Sequence, residues 1–329
     1  MNICMKMNTT MNKKLIPFLC MLLVLVSCSK SNPVVLEPDQ QDQPKNSETD
    51  IVQSVSFNIP RFTVVDEVIT KTEFNSDATA ITWSANDTVG IYPNTGSQVF
   101  FVIDNGAGST SAHFDGGGWE FKLSSVYYSY YPFIGNIYLR RDYIPVSYLG
   151  QKQIGTTSTS HIGPFDFMYT GATSSSSGAL NFNYNRLGAV LYVRANLPAG
   201  TYTKLAITAP SEAFTTKGYF SLVASNPSII PTEHSNQITI DLEGITLTQQ
   251  SEFLVYLMIA PVNLNGVEIT VSVLNDQRKE YQCKKTPSKA YTAGNKYGLN
   301  CSSFTEVPQS MGLIIDDWGD GGEIGGDAE

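Results

Sequence analysis

Short runs of alternating apolar and polar residues, each broken by Gly, Ser, Asn or Pro, constrain this chain more than any other feature. Ser54-Val55-Ser56-Phe57-Asn58-Ile59 alternates strictly, with Val55, Phe57 and Ile59 on one face. Ile81-Thr82-Trp83 leads into the turn Ala85-Asn86-Asp87, and Val89-Gly90-Ile91-Tyr92 ends at Pro93. Val99 to Ile103, Trp119 to Phe121 and Tyr127 to Phe133 continue the series. No stretch of this half sustains a 3.6-residue apolar period, so no long helix is expected. Gly171 to Gly178, with four serines, is the best candidate for an interdomain linker. Beyond it come strand-like runs at Leu180 to Tyr184, Gly188 to Val193, Thr203 to Thr208, Gln237 to Leu242, Phe253 to Ile259, Val267 to Val273 and Lys296 to Asn300. The chain is therefore expected to be all-β, in two tandem domains at 51–175 and 176–304, with sandwich or barrel geometry.

The two ends differ from this middle. Met11-Asn12-Lys13-Lys14, an apolar stretch from Leu15 to Val26 and then Ser27-Cys28 have the order of a secretory signal peptide, too short to span a bilayer comfortably. Leu25-Val26-Ser27-Cys28 resembles the lipobox of bacterial lipoproteins, which implies a signal peptide over 1–28 and a lipid on Cys28. Its removal takes away Lys6, Lys13 and Lys14 but no acid, so the net charge moves from −9 to −12. An acidic chain of this kind argues against nucleic acid or anionic lipid as a partner, leaving lipid on Cys28 as the membrane attachment. Residues 29–50 are polar and Pro-rich and read as a flexible tether. Residues 305–329 hold seven acids and no base, the composition of a disordered tail. Within that tail Met311, Leu313 and Ile315 alternate like a strand, with the spacing of Val55, Phe57 and Ile59. Two segments with equivalent apolar faces could compete for one groove.

A search for catalytic chemistry is mostly negative. His113, His161 and His234 are isolated, and there is no His-Glu-x-x-His pair, nucleophile elbow, phosphate loop or dinucleotide fingerprint. Asp316-Asp317-Trp318-Gly319-Asp320-Gly321 has some flavour of a calcium loop, but Trp318 stands at a ligand position and Asp327 replaces the closing glutamate. Neither a metal nor a cofactor is expected, and no enzyme activity. Trp83 beside Asn86 and Asp87 reads as core packing at a turn rather than a sugar platform. In Tyr127-Tyr128-Ser129-Tyr130-Tyr131 one face is expected in the core and the other against a partner or solvent. Cys283 and Cys301 lie on strand-like runs and form either a disulfide or two free buried thiols.

Taken together these segments resemble the fimbrillin family, the subunits of type V pili, from about Ile51 to Phe304. Trp83 to Tyr92 is similar to the family's Trp, Asp, then Gly-aliphatic-Tyr element, and Ser129-Tyr130-Tyr131-Pro132-Phe133 to its aromatic strand end. Asp166-Phe167-Met168-Tyr169 with Leu180-Asn181-Phe182 resembles its domain junction, and Tyr291 to Tyr297 its Ala-Gly hairpin. The resemblance implies two β-sandwich domains of transthyretin-like type and a non-enzymatic structural subunit of a fimbrium. It further implies export as an outer-membrane lipoprotein precursor and cleavage by a trypsin-like protease after Arg61 or Lys71. The strand carrying Val55, Phe57 and Ile59 would then be lost. Polymerisation follows by β-strand exchange, for which Met311, Leu313 and Ile315 are the candidate donor residues, supporting cell adhesion. The implied partners are other pilin subunits head to tail, the activating protease and a host or bacterial surface ligand. The alternative is a pilus tip, or a monomeric surface lipoprotein adhesin that binds a glycan or host protein. Two departures from the family pattern are Tyr184, where His is usual, and Lys71, where Arg is usual.

Overall fold

The computed structural model describes residues 50–65 and 81–308, except 137, 157 and 175–177. Cys28, Lys71, Met311, Leu313, Ile315, the acidic segment around Asp316 and all of the tether but Asp50 lie outside these residues. The described chain is all-β, with a 3-10 turn at Gly163–Phe165. Its strands are β1 (Ser54–Asn58), β2 (Thr63–Val64), β3 (Thr88–Pro93), β4 (Val99–Asn105), β5 (Ser111–Asp115), β6 (Val126–Tyr131), β7 (Ile144–Ser147), β8 (Gln151–Ile154), β9 (Met168–Ser174), β10 (Ala179–Asn183) and β11 (Asn185–Arg186). There follow β12 (Ala189–Leu197), β13 (Gly200–Thr208), β14 (Phe214–Phe220), β15 (Ile230–Ser235), β16 (Gln237–Leu247), β17 (Ser251–Ile259), β18 (Ile269–Asn275), β19 (Glu280–Lys285), β20 (Asn295–Cys301) and β21 (Thr305–Glu306).

An eight-stranded sheet runs β10-β1-β5-β4-β3-β6-β9-β11. Its two outermost strands are separated in the chain by Tyr184 alone, so the sheet curls until its ends meet. Inside it lies an aromatic core that includes Phe57, Trp83, Phe101, Phe114, Phe121, Tyr127, Phe182 and Tyr184. Period-2 alternation builds that core directly: β5 turns Ala112 and Phe114 inward, and β10 does the same with Leu180 and Phe182. Gly90 on β3 is required by close approach, since a Cβ there would stand 2.1 Å from the Tyr130 ring.

A second core is shared by a four-stranded sheet (β17-β12-β20-β2), a six-stranded sheet (β21-β19-β18-β13-β16-β8) and a small sheet (β15-β14-β7). Strand β12 is buried along nearly its whole length and pairs antiparallel with β17 and parallel with β20. Strands β3 and β6 form a wall between the two cores. Val89, Ile91, Tyr127 and Tyr131 point into the first, while Tyr92 and Tyr130 are buried in the second. Neither face of the Tyr127–Tyr131 run is therefore a partner surface, contrary to the sequence expectation. Tyr128 packs partly buried against the second core, with the Arg141 guanidinium 5.2 Å from its ring centre.

The chain passes between these sheets more often than its order suggests. Strands β7 and β8 precede residue 175 but join β14 and β16, whereas β10 and β11 follow it and join the eight-stranded sheet. Gly171 to Ser174, read from sequence as linker, is the end of β9 paired with β6. Strand β9 is half-exposed there, which suits its small and polar residues.

Strand β8 has an additional task that its sequence, Gln-Lys-Gln-Ile, conceals. Its backbone pairs with β16, while the buried amides of Gln151 and Gln153 pair with the backbone of β17. Gln151 donates to Met258 O at 2.8 Å and accepts from Met258 N at 2.7 Å. Gln153 does the same with Leu254 O at 2.7 Å and Tyr256 N at 2.9 Å. Two side-chain amides thus stand in for a strand along an otherwise unpaired buried edge. Gln151→Leu leaves a buried N–H and C=O without partners and is expected to cost about 2–5 kcal/mol in urea unfolding. A loss below about 0.5 kcal/mol, the scale of an ordinary surface change, would refute the assignment.

Lys296 on β20 is buried, with its ammonium 5.1 Å from the Tyr192 ring centre and 5.5 Å from that of Tyr256. Burial pulls its pKa from 10.5 down to about 8. The folded state then binds fewer protons than the unfolded state between those values, so this group makes stability rise with pH across that window. Relative to Lys296→Met, the wild type is expected to gain up to ~1.4 kcal/mol per pH unit between pH 8 and 10, read by denaturant titration.

Candidate functional site

The candidate site is built around β1, whose inward face carries the residues singled out by alternation. Phe57 is fully buried, Ile59 is buried and Val55 is half-buried. The Phe57 ring lies 4.8 Å from that of Phe114 and 4.9 Å from that of Phe182, the latter stacked. Trp83 Nε1 donates to Phe57 O at 3.1 Å, so the indole sits in the core with its one polar atom satisfied by β1.

Strand β1 is not an edge. It pairs parallel with β10 (Val55↔Leu180, Phe57↔Phe182) and antiparallel with β5 (Phe57↔Ala112, Asn58↔Ser111). On its outer face Ser56 Oγ donates to Asn181 Oδ1 at 2.6 Å, and Asn58 Nδ2 donates to Asn183 Oδ1 at 3.1 Å. This polar ladder sets register against β10 where apolar contacts cannot. Taking β1 away would expose two strand edges, one on each side of an apolar groove.

After Ile59 the chain leaves the first core and enters the second. Phe62 is buried there, while the Arg61 side chain is exposed. The Arg186 guanidinium lies 3.8 Å over the Phe62 ring and its Nη1 donates to Pro60 O. Arg186 Nε also contacts both carboxylate oxygens of Asp166, at 3.0 and 2.9 Å, with both side chains essentially inaccessible. Burial raises the Asp166 carboxyl above its ordinary range, and the adjacent guanidinium offsets part of that rise. Strand β2 then pairs parallel with β20, and Lys289 Nζ donates to Val65 O at 2.9 Å. Residues 60–65 thus form a strap across the second core, with Arg61 at its start.

Apart from the adjacent thiols of Cys283 and Cys301, the remaining chemistry-bearing residues do not converge. His113 pairs with Asp104 on the surface, His161 donates from Nε2 to Tyr256 O, and His234 lies on exposed β15. Among the described residues no three His, Cys, Asp or Glu side chains are placed to hold a metal. Cys283 lies on β19 and Cys301 on β20, which belong to different sheets and do not pair; both are free, buried thiols in the second core. Burial and the neighbouring Cys283 push the Cys301 thiol far above its ordinary pKa. An apolar cleft of ≈ 500 Å³ opens between the small sheet and the loops carrying Pro132, Ile134 and Pro164, with Tyr143 stacked on Tyr219 beside it.

The chain belongs to the fimbrillin-like family, whose model matches residues 70–318. A putative cell adhesion protein from Bacteroides ovatus has a similar fold, with a TM-score of 0.51 at 12% identity over 78% of this chain and 96% of that one. A putative cell adhesion protein from Bacteroides uniformis aligns at 14% identity over 68% of this chain and 91% of that one, with a TM-score of 0.47. The tip fimbrial protein Mfa3 from Porphyromonas gingivalis aligns at 12% identity over 67% and 92%, with a TM-score of 0.35. No curated protein matches the chain. The family is one of fimbrial proteins, not enzymes.

The alternation of Val55, Phe57 and Ile59 was legible, but Arg186 was not singled out from sequence and Asp166 was read only as part of the junction motif. An Arg in a two-residue strand carries no local signal that it is buried; only its partners Pro60 and Phe62, far away in the chain, explain it. For the cysteines, a reduced sample is expected to show no thiol reactive to Ellman's reagent while folded and both Cys283 and Cys301 reactive in denaturant, counted on protein lacking Cys4, Cys20 and Cys28. Rapid labelling of the native protein would contradict the burial of either.

Proposed function

We propose that this chain is a pilus subunit that is exported as an outer-membrane lipoprotein through Cys28, activated by proteolysis and polymerised by β-strand exchange at the cell surface. The observation that carries the reading is the place of β1. It lies at the N-terminal end of the folded unit, yet fills an interior position between β10 and β5. A strand so placed can leave without breaking the continuity of the remaining chain. The gap it leaves offers main-chain partners on both sides and a floor that includes Phe114 and Phe182. Such a gap is an aggregation hazard unless filled, which favours capture of an extended segment from another subunit.

Met311, Leu313 and Ile315 supply the matching apolar face. Burying three such side chains is worth on the order of 5–9 kcal/mol before ordering costs. Donor and acceptor are different surfaces of one subunit, so the contact is head to tail and does not close, which yields a filament. Other pilin subunits are then the principal partners, and the lipid on Cys28 attaches the precursor to the membrane. Two β domains, one per core, provide the body of each subunit.

A tip subunit or monomeric surface adhesin is the second reading, favoured by the apolar cleft beside Tyr143 and Tyr219, which suits a glycan or host protein. Treating the full chain with a trypsin-like protease separates the two. Cleavage followed by filaments, seen by electron microscopy, is the expected outcome, and Leu313→Asp or Ile315→Asp should abolish them while leaving the monomer folded. Cleavage that leaves only monomers would favour the adhesin, and normal filaments from both variants would remove the donor assignment.

A further inference from the structure

The vacated site has a second part beyond the β1 groove, because the strap that follows β1 buries Phe62 in the other core. From Val55, the inward apolar residues of this N-terminal segment fall at Val55, Phe57, Ile59 and Phe62, a spacing of i, i+2, i+4 and i+7. The C-terminal segment repeats that spacing in the same chain direction with Met311, Leu313, Ile315 and Trp318. An aromatic closes both series at i+7, and no other tryptophan lies in the tail. Between the third and fourth apolar positions stand Pro60-Arg61 in one segment and Asp316-Asp317 in the other.

We infer that Trp318 of one subunit occupies the Phe62 pocket of the next, under the Arg186 guanidinium, so that the donor is a two-part segment bridging both cores. This rests on the strand-exchange reading above and adds a site to it. The chemistry of the pocket fits an indole. Its roof is a guanidinium 3.8 Å over the ring face, an arrangement in which tryptophan is the strongest partner. Arg186 is fully buried, and its Nη2 has no hydrogen-bond partner among the described residues. In the donor register Asp316 falls where Pro60 O now receives Arg186 Nη1, which brings a carboxylate beside that guanidinium. Running parallel to β10 as β1 does, the donor keeps the order groove first, pocket second.

The two candidate cleavage residues then have different consequences. A cut after Arg61 leaves Phe62 as the new first residue, still able to fill its pocket. A cut after Lys71 removes Phe62 and β2 together, and the pocket is open to the donor. Full-length Leu313→Asp, Trp318→Ala and Trp318→Phe chains, activated with a trypsin-like protease beside wild type, test the inference. Filament yield is read by sedimentation and joint lifetime by depolymerisation in moderate denaturant. Leu313→Asp is expected to give no filaments. Trp318→Ala joints are expected to come apart at least tenfold faster than wild type, and Trp318→Phe joints within about threefold of it. The melting temperature before activation, expected to be unaltered, separates an effect on the joint from one on the monomer. Wild-type lifetimes for Trp318→Ala chains cut after Lys71, with Leu313→Asp inactive, would overturn the Phe62 pocket while strand exchange stands. No filaments from wild type would take down both.

Discussion

One buried guanidinium ties together segments that are far apart in the chain. Arg186 holds Asp166 through Nε, donates from Nη1 to Pro60 O and covers Phe62 with its planar face. A buried ion pair adds little stability over a well-packed apolar pair, because desolvation cancels most of the attraction. Its contribution here is directional: a rigid fork with several donors aims three contacts at once. Those contacts direct the chain out of the first core after Ile59 and into the second at Phe62. The position of β1 and the path of the strap both depend on it.

The same economy of polar groups recurs elsewhere. Gln151 and Gln153 complete the buried edge of β17, and Trp83 Nε1 is satisfied by the backbone of β1. In each case a side chain supplies a hydrogen bond that a neighbouring strand does not. A β-protein with several sheets and short strands has many strand edges, and an edge facing a core must be satisfied internally. The two cores also share β3 and β6 as a common wall, so the halves of the chain fold against each other rather than side by side. In the proposed strand exchange, such a wall would keep the remaining strands organised around the gap.

Much of this was legible locally. Val55, Phe57 and Ile59 read as one face because strand side chains alternate whatever partner the strand finds. The turn at Ala85-Asn86-Asp87 was legible for the same reason: Asn86 adopts a positive φ and the Asp87 carboxylate accepts from Ser84 N, both local events. Trp83 as a core residue followed from its place beside that turn. What failed was assignment of strands to sheets. Strands β7, β8, β10 and β11 each join a sheet on the other side of the expected boundary at residue 175. Parallel pairs such as β1 with β10 and β8 with β16 unite segments with long stretches of chain between them, and no local spacing announces them.

The amino-acid sequence by itself determined that the folded part of the chain is built of strands, which faces of those strands are apolar, and that its termini differ from its middle. These are consequences of side-chain period and composition, which act over a few residues. Only the tertiary structure decided that β1 is an interior strand, that both faces of the Tyr127–Tyr131 run are buried, and that Phe62 belongs to a different core from Phe57. It also decided that Arg186, Gln151 and Gln153 are structural rather than surface residues. The reason is physical: a polar side chain is buried only when distant groups meet its hydrogen bonds, and a strand acquires its place only from the strands on either side.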